Sequence, residues 1–184
     1  GNPDPVTDHT SANNVNNVAG QGLKPEDKKE GVSSHYNRSN EWIITPPIKC
    51  SNYVNTRLTF WRWANFEKNY DKAIVEISTD GMNWINLGHP LFPEDTEWNE
   101  VTFNIAPYAD HADIVFIRWR SESDAFIHYS GWNIDDVLIT GKLNLNNFTS
   151  IIKPGNLNIP YEISSTVDSV FERIDVFDFI IEDA

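Results

Sequence analysis

Leu58-Thr59-Phe60-Trp61-Arg62-Trp63, followed closely by Ala73-Ile74-Val75-Glu76-Ile77-Ser78, is the stretch on which the fold turns. Both segments are rich in β-branched and aromatic residues, and both carry the alternation of half-buried strands. Thr79-Asp80-Gly81-Met82-Asn83 then supplies turn chemistry, because an Asp-Gly step takes positive φ at little steric cost. Residues 82–87 are predicted to return as the partner strand. Working outward, further strands are predicted at 98–105, 114–120 and 134–140, each bounded by Asp, Ser, Pro or Gly. No stretch has sustained helical periodicity. Short strands at regular spacing predict an all-β fold, a sandwich or a barrel.

The 184 residues suffice for one well-buried domain and a short appendage. Seven Trp, ten Phe and six Tyr, against one Met and one Cys, imply a core of flat rings and β-branched side chains. Cys50 has no partner for an internal disulfide and reads as a small buried hydrophobe. Residues 1–40 are rich in Asn, Asp, Gly, Ser and Lys, and such a segment needs an anchor to be ordered. The texture changes again after Gly141. The expected division is a sandwich over 1–142 and, over 143–184, a β-rich tail or the start of a second small β domain. Within that tail Ile174-Asp175-Val176-Phe177-Asp178-Phe179-Ile180-Ile181 is apolar on both strand faces and calls for burial. It must pack on the first domain, belong to a second one, or complete the sheet of another chain by strand addition.

The formal net charge is −13, from 27 acidic and 14 basic residues, which argues against nucleic acid as a partner. The same acidity suits either solubility or divalent cations. No apolar run is long enough to span a bilayer. The sequence starts at Gly1 without a charged and apolar leader, so any secretion signal is expected to have been removed or to lie outside this sequence. Five His, at 9, 35, 89, 111 and 128, have no His-Glu-x-x-His spacing, and no Gly-x-Ser-x-Gly elbow, phosphate loop or dinucleotide fingerprint occurs. The chain is therefore not expected to be an enzyme.

Asp8-His9-Thr10 with downstream Asn14-Val15, then Ile44-Thr45-Pro46-Pro47-Ile48, Phe60-Trp61, Asp80-Gly81-Met82-Asn83-Trp84 and Gly131-Trp132-Asn133-Ile134-Asp135-Asp136-Val137 fall in a recognisable order. Together they resemble the MAM-like jelly-roll modules, in particular the bacterial branch attached to secreted proteases and surface proteins. The charged insertion around residues 24–30 departs from the pattern. The resemblance implies a two-sheet antiparallel jelly-roll sandwich in an extracellular or cell-surface protein. It also implies a role in adhesion, targeting or assembly, with a protein or glycan of a cell surface or matrix as partner.

Calcium gathers six to eight oxygens, usually from two or more carboxylates together with loop carbonyls. Asp8 and Asn14 in the unanchored N-terminal segment, and Asp135 and Asp136 on the last strand of the sandwich, can supply them and would tie the chain ends together. Asp71, just before the strand from Ala73, is a further candidate. Consecutive strand residues face opposite ways, so one of Asp135 and Asp136 is expected to ligate, with Asp136 preferred. The alternative for all five is turn formation and solvated surface. For a sugar ligand, Trp98 stands among Glu94, Asp95, Glu97 and Glu100, and Phe126 and Tyr129 occupy another loop. Trp61 and Trp119 fall in the apolar strand pattern and are assigned to the core.

Overall fold

The computed structural model describes residues 5, 9–10, 18–20, 40–123, 130–144, 171–174 and 180–183. Among the described residues, ten strands and one four-residue helix make up the regular structure. In chain order they are β1 (Ala19–Gly20), β2 (Asn40–Ile44), β3 (Tyr53–Asn65), β4 (Lys72–Ser78), β5 (Ile85–Asn86), β6 (Asn99–Asn104), α1 (Ala106–Ala109), β7 (Phe116–Glu122), β8 (Gly131–Leu143), β9 (Phe171–Ile174) and β10 (Ile180–Asp183).

The strands form two antiparallel sheets. The first runs β1-β8-β3-β6, with β9 also paired to β8, and the second runs β10-β2-β7-β4-β5. The chain changes sheet at nearly every connection from β2 to β8, which gives a jelly-roll sandwich, the architecture the resemblance implies and one of the two, sandwich or barrel, that the strand spacing allows. Both strands of the tail pair with this body: β9 with β8, from Ile139↔Ile174 to Lys142↔Phe171, and β10 with β2, from Ile180↔Ile44 to Asp183↔Glu41. The charged insertion at 24–30 lies outside the described residues.

Ile43, Leu58, Phe60, Ile77, Ile117, Trp119, Trp132 and Ile139 are fully buried between the sheets. Phe60 of one sheet meets Trp119 of the other edge-to-face at 5.2 Å, the arrangement the ring quadrupoles favour. The Trp132 indole N–H donates across the sandwich to the Arg120 carbonyl at 3.2 Å. Leu58, Phe60 and Ala64 point inward, so strict alternation turns Trp61 and Trp63 to the outer face of the first sheet. Trp61 is therefore not a core residue, contrary to the sequence expectation; Trp119 is.

The turn after β4 forms at Asp80-Gly81, with Gly81 at φ 73°. The Asp80 carboxylate accepts the Met82 and Asn83 N–H groups at 2.8 and 2.7 Å. That holds residues 82 and 83 in the turn, so the returning strand is Ile85–Asn86 and not the whole of 82–87.

Candidate functional site

The site begins with a slip in β8. Trp132 and Ile134 are buried in the core at even positions, yet farther along the same strand Ile139 is buried at an odd one. The alternation must therefore change phase between them. The ladder to β3 records this: Trp61 pairs with Asp135, but Thr59 pairs with Leu138, so β8 carries one extra residue there. Asp136 sits at the slip with φ 47°, a left-handed conformation that Asp tolerates better than most residues. As a result Asp135 and Asp136 both turn to the outer face, which regular strand geometry forbids and which the sequence reading did not anticipate.

Both carboxylates receive the N-terminal segment. The His9 backbone N–H donates to Asp135 Oδ2 at 3.1 Å, and the His9 ring Nδ1 lies 2.8 Å from Asp136 Oδ2. The Thr10 hydroxyl donates to Asp136 Oδ1 at 3.2 Å, and the Asp136 N–H donates to Asp135 Oδ1 at 2.7 Å. The imidazole stacks on the outward-facing Trp61 with centroids 3.7 Å apart and planes inclined by 19°. Trp98 stands edge-on to this imidazole at 6.0 Å and to Trp63 at 6.1 Å. Trp61, Trp63 and Trp98, all half-buried, thus form an aromatic seat beside two carboxylates, and His9 lies on it.

Of the sequence candidates, Asp135 and Asp136 are brought together. Asp71 is seated elsewhere, at the head of β4 in the second sheet, where its Oδ2 accepts the Glu67 N–H at 3.2 Å and its own N–H donates to the Glu67 carbonyl at 2.9 Å. Asp8, Asn14, Phe126 and Tyr129 lie outside the described residues. Trp98 is half-buried as a wall of the aromatic seat. His9 was missed as a contact residue; its only sequence signal is its place between Asp8 and Thr10. The slip had a clearer one, since Trp132 and Ile134 are out of phase with Val137 and Ile139.

As a cation site the arrangement is partial. Four carboxylate oxygens and the Thr10 hydroxyl are hard donors of the kind calcium takes. Among the described residues, no three His, Cys, Asp or Glu side chains form a group that could hold a metal. Any remaining ligands would be carbonyls, hydroxyls, amides or water, or come from residues outside those described. The donors present are of the chemical kind that calcium takes and fall short of a complete set.

A second polar cluster, on the outer face of the other sheet, was not legible in advance. Glu76, almost fully buried, accepts Arg118 Nε at 2.5 Å and Arg120 Nε at 3.0 Å on the same oxygen. Glu122 joins Arg120 Nη1 at 2.6 Å to Lys72 Nζ at 2.7 Å. The Arg118 guanidinium lies 4.0 Å from the Trp84 ring centroid and 5.3 Å from that of Trp42.

No helix among the described residues is long and apolar enough to cross a membrane. No family model matches the chain. Bacillopeptidase F of Bacillus subtilis (strain 168) is 26% identical over 112 residues, covering 60% of this chain. The matched part is 8% of that protein, so the chain is similar to a small portion of a much longer bacterial peptidase.

Proposed function

We propose that this chain is a non-catalytic, extracellular binding module of the MAM-like jelly-roll kind, whose N-terminal segment is fastened to β8 by calcium. The observation that carries the reading is the pair of outward carboxylates, Asp135 and Asp136, meeting His9 and Thr10 from the far end of the chain. A strand slip with a left-handed Asp is a costly local conformation, retained where the surroundings demand it. Two adjacent carboxylates repel each other, and a divalent cation would offset that repulsion. When bound, calcium would supply charge neutralisation and a rigid link between oxygens of the N-terminal segment and β8. Asp135 and Asp136 would hold it, with Asp8 and Asn14 as further ligands.

The similarity to 8% of a longer peptidase suits a module that accompanies a larger protein. Its partner would be a protein or glycan of a cell surface or matrix. The pairing of β9 and β10 with β8 and β2 favours a self-contained module over one that donates its tail to a neighbour. Calorimetric titration of calcium into the chelator-treated chain tests the proposal. Saturable binding is expected, weakened at least about tenfold by Asp135→Asn or Asp136→Asn, a loss of roughly 1.4 kcal/mol. Absence of binding, or equal binding by the double variant, would reject it.

A further inference from the structure

Among the described residues, three of the four sheet edges end in strands of four residues or fewer, which discourages further pairing. On the first sheet, the β8 side is occupied by β1 and β9. On the second, the β2 side carries β10, and the β4 side ends in the two-residue β5, with Gly88 and Pro90 just beyond it. The fourth edge is β6, Asn99-Glu100-Val101-Thr102-Phe103-Asn104. Among the described residues it pairs with β3 alone, over six consecutive positions without a register shift. It contains no Lys, Pro or Gly, the residues by which sheet proteins usually blunt such an edge.

We propose that β6 is a self-association surface that pairs antiparallel with β6 of a second copy. Opposed residues of an antiparallel pair share a sheet face, so a two-fold axis must pass through a residue and not between two. In β6 the outer face carries Glu100, Thr102 and Asn104, opposite Trp61, Thr59 and Arg57 of β3. The inner face carries Val101 and Phe103, which pack against the core but remain partly exposed at the edge. An axis through Thr102 uses the whole strand. It sets Thr102 against Thr102, Glu100 against Asn104, and Val101 against Phe103. No like charges oppose each other, and the two half-covered apolar side chains of each copy gain a partner.

The contact is small, so association is weak and reversible. A net charge of −13 on each copy opposes it, and salt screens that repulsion, so the dimer strengthens as ionic strength rises. The pairing itself needs no ligand at the calcium site.

Sedimentation of the whole chain from low micromolar to millimolar protein is expected to show a shift from 21.1 kDa toward twice that mass, more complete in high salt. Thr102→Lys places two ammonium groups on the axis and should weaken the dimer at least tenfold. An equimolar mixture of Thr102→Lys and Thr102→Glu should restore it, because only a register centred on residue 102 brings those side chains face to face. Amide exchange in the unaltered protein needs no variant, and exchange over 99–104 should slow as concentration rises. A monomer at every concentration and salt, a dimer indifferent to Thr102→Lys, or concentration-independent exchange in β6 would overturn the proposal.

Discussion

His9 and Asp136 stand 127 positions apart in the chain, yet the imidazole Nδ1 lies 2.8 Å from the Asp136 carboxylate while the same ring stacks on Trp61 at 3.7 Å. One side chain therefore joins the N-terminal segment to two neighbouring strands of the first sheet. Replacing His9 by Ala removes a hydrogen bond and a stacked ring at a partly exposed site, and should cost about 1 to 2 kcal/mol. Urea unfolding would measure it, with a red shift of tryptophan emission as Trp61 and Trp98 lose their cover. A variant as stable as the parent, with unchanged emission, would show that His9 does not hold the segment.

Glu76 is the hinge of the other outer face. Arg118 and Arg120 both direct Nε to one of its oxygens. The Glu76→Gln change keeps the shape but removes the charge that two guanidinium groups share in a nearly dry position. A loss of about 2 to 3 kcal/mol is expected by denaturant titration. A change under about 0.5 kcal/mol would mean that solvent replaces the carboxylate at no cost.

Acid should weaken the protein, and the turn after β4 should contribute. The Asp80 carboxyl is held well below the ordinary range, first by the Asn83 side-chain amide, then by the Asn83 and Met82 N–H groups and the Ser78 hydroxyl. Lys72 and Arg120 lower Glu122 in the same way. Both groups bind a proton less readily in the folded state than in the unfolded one. Their stabilisation is therefore complete above the unfolded carboxylate range, near pH 4, and is lost as pH falls through the folded values. Asp95 acts oppositely. Burial raises it, outweighing the Ala64 N–H and Arg62, so its contribution declines as pH rises through its folded value. Melting temperatures followed from pH 5 to pH 2 should fall less steeply for Asp80→Asn than for the parent. Equal slopes would remove Asp80 from the account.

The strands were legible where alternation is strong and local. Residues 58–63 and 73–78 lie within β3 and β4, and the Asp-Gly turn stands where its backbone chemistry puts it. Trp61 was misassigned because a large ring suggests a core, although Leu58 and Phe60 already fixed the inward phase and left Trp61 outside. The joint orientation of Asp135 and Asp136 was out of reach of a rule that assumes regular strands, since one inserted residue in β8 reverses it. The arrival of His9 and Thr10 at those carboxylates depends on tertiary closure across the sandwich, which no local pattern encodes. The register of the tail was illegible for a related reason: a strand apolar on both faces calls for burial without naming its neighbour.

The central claim is that calcium fastens the N-terminal segment to β8, and a thermal melt of the whole chain in calcium and in chelator tests it most directly. The account predicts a rise of roughly 5 to 10 °C in saturating calcium, the shift that selective binding to the folded state produces in a chain of this size. That rise should disappear in Asp136→Ala. Identical melting in calcium and chelator, or an equal rise in the Asp136→Ala variant, would contradict it and leave Asp135 and Asp136 as hydrogen-bond acceptors for His9 and Thr10 alone.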